Sequence, residues 1–184
     1  QFMSHAERGD ATVRLVQADG QHLPFRDADF DIVMMIQVFG GLRSWRRVLA
    51  EGRRVLRASG VMVIGRTVRP CGGVDSRMKE RLRSFLDEAG VESGPANASE
   101  DVERWLESTG DGGGWKIVAS WNADRTPRGF LDRHRTGAQF HQLPHAIKEQ
   151  ALHRLGERAA TTFGSVDAVS SERQSSELRF FRFS

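Results

Sequence analysis

Residues 30 to 39, FDIVMMIQVF, form a nearly continuous apolar run. A strand of this composition is buried on both faces, as in a parallel sheet covered by helices, whereas a strand with one wet face would alternate. The run leads into SWRRVLAEGRRVLRASG, where Trp45, Val48, Leu49, Gly52, Val55 and Leu56 keep helical spacing while Arg46, Arg47, Glu51, Arg53, Arg54 and Arg57 mostly fill the other face. Ser44 can cap the start of this helix, and Gly60 lies just past its expected end. Gly52 inside it costs about 1 kcal/mol against alanine, a cost that suits close approach to a sheet. VMVIGRTV, residues 61 to 68, reads as a second buried strand. Strand, helix, strand with apolar strands is the pattern of a parallel α/β sheet.

Upstream, VRLVQA at 13 to 18 is β-branched and short and predicts another strand, and FMSHAER at 2 to 8 reads as the end of a helix. Between the strands, Gly, Pro and Asp mark a loop. Ligands of parallel sheets collect beyond the carboxyl ends of the strands, so the loop from Asp19 to Asp29 is expected to line a crevice there. After Pro70 the character changes. DSRMKERLRSFLDEAG and SEDVERWLESTG are amphipathic helices, the second capped by Ser99. GDGGG at 110 to 114 is a turn, WKIVASW at 115 to 121 a strand, and TPRGFLDRHRTGAQFHQLP irregular or short-helical. HAIKEQALHRLGERAATTFG is a long helix and SELRFFRF a final strand. Without internal repeats or low-complexity linkers, one domain is expected over 1–184, with an α/β half at 1–70 and a helical lid with closing strands at 71–184.

Composition narrows the function classes. Apolar residues make up 39% and charged residues 28%, an ordinary globular balance. The basic residues are nearly all Arg, with Lys only at 79, 116 and 148, and Asp and Glu are interleaved among them. That pattern predicts a mixed solvated surface rather than the basic face of a nucleic-acid binder. The single cysteine, Cys71, excludes an intramolecular disulfide and a multi-cysteine metal centre. No apolar run approaches the ~20 residues that span a bilayer, and QFMSHAERGD lacks the apolar core of a signal peptide. The chain therefore reads as cytoplasmic, and the sequon at Asn97 as a chance match. His134, His141 and His145 share one segment without an evident carboxylate partner, so no metal site is expected. A general base, if one serves, falls to His141. Trp45, Trp105, Trp115 and Trp121 read as packing residues rather than a cage for a cation.

Taken together, VRLVQADGQHLPFRDADFDIVMM and VLAEGRRVLRASGVMVIGRTV resemble the class I S-adenosylmethionine-dependent methyltransferases, and within them the branch of ubiquinone and menaquinone biosynthesis. That branch has a strand ending in Asp, then Leu-Pro-Phe, then Phe-Asp opening the next strand, then Glu, two residues and Arg-Val-Leu. Here these are Asp19, Leu23-Pro24-Phe25, Phe30-Asp31, Glu51 and Arg54-Val55-Leu56. The usual Pro-Gly-Gly is replaced by Ala58-Ser59-Gly60. RTPRGFLDRH, LPHAIKEQAL and FGSVD are similar to the carboxyl-terminal part of many members. The resemblance implies a Rossmann-like, mostly parallel sheet with an antiparallel last strand and a helical lid. It implies S-adenosylmethionine as cofactor and a small-molecule methyl acceptor, with neither membrane nor nucleic acid as partner. By the same resemblance Asp19 accepts a hydrogen bond from the adenine amino group, the Gly20 amide faces a ring nitrogen, and Ile36 and Gln37 touch the methionine part. The alternatives are a non-catalytic methyltransferase-like interaction module and a nucleic-acid methyltransferase.

The family's Gly-rich loop after its first strand, and the acidic end of its second, have no counterpart in this sequence. The resemblance puts residue 1 inside the helix after that second strand, so the sheet is expected to lack its first two strands. In the family's order these lie between the strands at 13–18 and 30–39, which would otherwise stand ~10 Å beyond normal pairing. The expectation is a carboxyl-terminal part lacking ~70 to 90 residues, given βαβ dimensions, or else strands that close up into a changed sheet.

Overall fold

The computed structural model describes residues 14–40, 42–91, 98–135 and 143–183. The helix expected at 2–8 lies outside them. Strand β1 (Phe30–Ile36) leads into helix α1 (Trp45–Val55) and strand β2 (Leu56–Val68). The two strands pair in parallel, with Ile32 opposite Val61 and Ile36 opposite Gly65. The predicted strand–helix–strand unit is therefore present. Helices α2 (Val74–Glu88) and α3 (Ala98–Thr109) follow, then the two-residue β3 (Asp111–Gly112), β4 (Lys116–Arg125), α4 (Pro127–Arg135), α5 (His145–Phe163) and β5 (Ser170–Arg182). Strand β5 lies antiparallel to β2 and carries β3 and β4 on its other edge, in the order β1-β2-β5-β3 with β4 also on β5.

Several boundaries differ from the sequence reading. Helix α1 stops at Val55, and β2 begins at once with Leu56. The pairing slips between Phe30 and Ile32, which lets residues 57 to 60 bulge out of the ladder. Gly60 is therefore no helix cap. It lies inside the strand, where a Cβ would stand 2.9 Å from the Asp31 carbonyl oxygen. Ser44 precedes α1 without a side-chain capping bond. At Gly52 a Cβ would run into the Met35 side chain, which accounts for a glycine inside an otherwise regular helix. Strand β1 ends at Ile36, three residues short of the apolar run.

One face of the sheet is well covered. Met35, Met62, Ile64 and Phe181 pack against Trp45 and Leu49 of α1 and Val102 and Leu106 of α3. A second cluster joins Val74, Met78 and Leu82 of α2 with Phe130 of α4 and Ala151, Leu152, Leu155 and Ala159 of α5. These three helices form the lid. They are carried on the β4–β5 ribbon, which continues pairing to Arg125 and Ser170 after the last β2–β5 pair, Val68 with Ser175. The ribbon thus projects beyond the carboxyl end of β2.

The opposite face of β1 departs from expectation. Ile32, Met34 and Ile36 are 58%, 56% and 49% exposed, so the strand is covered on one face only. Its far edge pairs with no strand among the described residues. Residues 14 to 18, expected as a strand, have no regular structure, and Leu15 and Val16 are exposed. A strand requires a ladder partner, and the chain that follows is held along α1, away from the β1 edge. The strands therefore do not close up around the gap.

The uneven burial makes a direct prediction. Replacing Leu49, which is 0% exposed, by alanine lowers unfolding free energy by about 2–5 kcal/mol. Met34→Lys on the open face stays within about 0.5 kcal/mol of the parent. Urea denaturation of the two variants checks both.

Candidate functional site

Helix α1 runs back from the carboxyl end of β1 to the amino end of β2, so its first turn marks the carboxyl edge of the sheet. The segment from Gly20 to Asp29 travels alongside it. Gly20 lies by Val48, with 3.6 Å between the place of a Cβ and the valine side chain. The Leu23 amide donates to Glu51 Oε2 at 2.8 Å. Arg54 donates to the Leu23 carbonyl at 3.0 Å, the Phe25 carbonyl at 2.8 Å, Asp27 Oδ1 at 2.7 Å and both oxygens of Glu51 at 2.8 Å. The amides of Ala28 and Asp29 donate to the carbonyls of Arg54 and Val55. Only the head of the segment, Asp19 and Gly20, therefore stands near the carboxyl edge, and the rest descends to the opposite one. The expectation that the whole loop lines a crevice is corrected accordingly.

This clamp is electrostatically strong. The Arg54 guanidinium, helped by the Leu23 amide, pulls the Glu51 carboxyl down to about 2, and the same pairing raises the Arg54 pKa further. Glu51 and Arg54 belong to the motif that suggested the family, and their visible work is structural.

The Asp19 carboxylate accepts the Gln21 amide at 2.9 Å and stands 3.7 Å from His22 Nδ1. The Gln21 N–H holds its pKa below the usual carboxylate range, so it is ionised at neutral pH. The side chain forms the turn, yet it remains exposed and a carboxylate has several acceptor sites to spare. At the end of β1, Gln37 adopts φ 55°, a left-handed conformation uncommon for a side-chain-bearing residue. Its N–H donates to the Gly65 carbonyl at 2.9 Å, and its Nε2 donates to Thr67 Oγ1. Backbone held in such a conformation by its surroundings concentrates at functional sites. Ile36 beside it is half exposed on the open face.

The four expected residues thus occupy one edge as two pairs, Asp19 with Gly20 and Ile36 with Gln37. No hydrogen bond among the described residues joins the pairs. One pair offers an ionised acceptor, the other an apolar side chain next to an amide. Neither β1 nor β2 ends in an acidic residue that would suit the ribose hydroxyls. His141 lies outside the described residues. His134 stacks on Phe130 at 3.8 Å, and burial pushes its pKa down, so it is neutral at pH 7. No three His, Cys, Asp or Glu side chains group as metal ligands among the described residues. Cys71 is exposed. Trp45 is buried and meets Trp105 edge-on, whereas Trp121 is exposed.

Sequence reading missed Thr67, which anchors Gln37, and three polar residues of the β4–β5 ribbon: Arg125, Glu172 and Gln174. Thr67 could have been found as the lone hydroxyl closing VMVIGRTV. The ribbon residues carry no local signal, since their burial arises only from the lid.

Comparison with known proteins bears on the fold. The family described as "Methyltransferase domain" matches residues 2–64. The cofactor this match implies is S-adenosylmethionine. No curated protein matches the chain. Among solved structures, the YcgJ protein of Bacillus subtilis is similar at 17% identity and a TM-score of 0.55, covering 100% of this chain and 76% of its own. A protein of Bacillus halodurans assigned as a methyltransferase is similar at 16% identity and a TM-score of 0.52, covering 94% and 78%. The fold is the Rossmann-like class I methyltransferase sheet with a helical lid. No helix among the described residues is long and apolar enough to cross a membrane.

Because the folded-state pKa of Glu51 lies below its unfolded value of about 4.3, the clamp is at full strength above that value and is lost as pH falls toward about 2. A carboxyl-carbon NMR titration is expected to place the Glu51 midpoint near about 2, with loss of Leu23 amide protection over the same range. A midpoint above 4 contradicts the clamp.

Proposed function

We propose that this chain transfers a methyl group from S-adenosylmethionine to a small molecule, acting as one methyltransferase domain over 1–184 whose cofactor side is 1–70 and whose lid and closing strands are 71–184. The observation that carries the reading is the strained Gln37, fixed to Gly65 and Thr67 at the edge that also holds the ionised Asp19. In this reading Asp19 accepts from the adenine amino group, the Gly20 amide faces the ring, and Ile36 and Gln37 contain the methionine part. The cofactor supplies a methyl group already activated on a sulfonium. The protein's task is to align the acceptor and exclude water, for which α2, α4 and α5 provide the cover. His141 is the proposed general base, if the acceptor requires one. The Leu23-Pro24-Phe25 and Arg54-Val55-Leu56 motifs support membership of the ubiquinone and menaquinone branch.

The bare edge of β1, flanked by exposed Ile32, Met34 and Ile36, supports a further parallel strand there, whose following Gly-rich turn would complete the nucleoside pocket. A parallel strand in this class is normally covered on both faces. The same bare edge also favours a second reading, a non-catalytic module that offers β1 to another protein. Binding of a nucleic acid draws little support, since arginines across the surface are matched with acids. Examples are Arg57 with Asp31, Arg66 with Glu103 and Glu177, Arg128 with Asp167, and Arg154 with Glu88.

Calorimetric titration of the natural full-length chain with S-adenosylhomocysteine separates the readings. The enzyme reading expects saturable binding, weakened about tenfold by Asp19→Ala, the ~1.4 kcal/mol of one hydrogen bond to a charged acceptor. Absence of binding at millimolar ligand, or equal binding by the Asp19→Ala chain, favours the interaction module.

A further inference from the structure

Where the β4–β5 ribbon rises past the end of β2, three polar side chains point to one side of it. Gln174, Glu172 and Ser170 alternate along one face of β5, and the register sets Trp121, Ala123 and Arg125 opposite them. Gln174 is 1% and Glu172 5% exposed. Glu172 Oε1 accepts the Val74 amide at the start of α2 at 2.6 Å, and Gln174 Oε1 accepts from Arg125 at 2.9 Å. Glu172 Oε2, Gln174 Nε2 and Arg125 Nε are nevertheless buried without a hydrogen bond, Arg125 Nε standing 4.0 Å from Asp75 Oδ2. Leaving such buried atoms without a hydrogen bond destabilises the fold. The face continues downward through Ser176, opposite Thr67, to the Gln37 amide at the sheet edge.

The unpaired set specifies what would satisfy it. One atom accepts and two donate. A carboxylate ligand would meet the Glu172 carboxylate. An ammonium ligand would leave both donors unpaired and stand among the guanidiniums of Arg125, Arg69 and Arg133, which share the single carboxylate of Asp75. A hydroxyl both gives a proton to Glu172 Oε2 and accepts from Gln174 Nε2. We propose that Glu172, Gln174 and Arg125 form a subsite between sheet and lid that binds the hydroxyl group of an alcohol or phenol. That this hydroxyl belongs to the methyl acceptor rests on the methyltransferase reading above; its binding does not.

The test uses phenol, benzoate and benzylamine as probes on the full chain, by saturation-transfer NMR and a crystal soak. Phenol is expected to bind saturably and in preference to the other two. Gln174→Met, which keeps the bulk but removes the donor along with the acceptor for Arg125, is expected to weaken phenol at least fivefold in a chain that still unfolds cooperatively. Glu172→Gln serves as a second variant, expected to weaken phenol while its amide oxygen still accepts from Val74. Equal or tighter binding of benzoate or benzylamine overturns the proposal. So does phenol binding that is indifferent to Gln174→Met, or a trapped water only on the three atoms after the soak. S-adenosylhomocysteine binding without phenol binding removes this subsite and leaves the methyltransferase reading standing. Phenol binding without S-adenosylhomocysteine binding does the reverse.

Discussion

The Arg54–Glu51 pair is the interaction on which the arrangement depends. One guanidinium gathers two backbone carbonyls and two carboxylates, and the carboxylate it orients takes a backbone amide in turn. Together they lay ten residues of otherwise irregular chain along α1. Because α1 runs against the strands, a segment bound along it has its head near the carboxyl edge and its foot at the other. Asp19 is thereby presented at the edge where β1 ends, without belonging to any strand. The family motif Glu51 and Arg54-Val55-Leu56 is, in this fold, the device that positions Asp19.

The sheet shows what its pairing can and cannot support. One covered face, built on Met35, Met62, Ile64 and Phe181 against α1 and α3, holds β1 and β2 in register. The other face of β1 remains bare, as does its outer edge. The lid builds its own core from Met78, Phe130 and Leu155 and meets the sheet through polar contacts on the ribbon, at Asp75, Glu172 and Arg125.

Much of the fold was legible in the sequence because its elements are strongly patterned. The helical spacing of Trp45, Leu49 and Val55 and the four-residue repeat of Ile147, Ala151, Leu155 and Ala159 both became helices. The expected strand failed at 14–18 because strand propensity is a statement about pairing, and the segment meets no neighbouring strand among the described residues. Gly60 was misread because a bulge and a helix terminus use glycine alike; only the proximity of the Asp31 carbonyl distinguishes them. At the candidate site, Asp19 and Gln37 were singled out by the resemblance. The positive φ of Gln37, its Thr67 anchor and the buried Glu172 and Gln174 were not, since each depends on a partner far away in the chain.

The central claim is that the carboxyl edge of β1 and β2 receives the nucleoside and methionine ends of one ligand. Backbone amide chemical-shift mapping during titration with S-adenosylhomocysteine tests it most directly. The account predicts the largest changes at Asp19, Gly20, Gln37 and Thr67, with the foot of the loop at Asp27 and Ala28 unmoved. Changes confined to the lid helices, or spread along the bare face of β1, would contradict it.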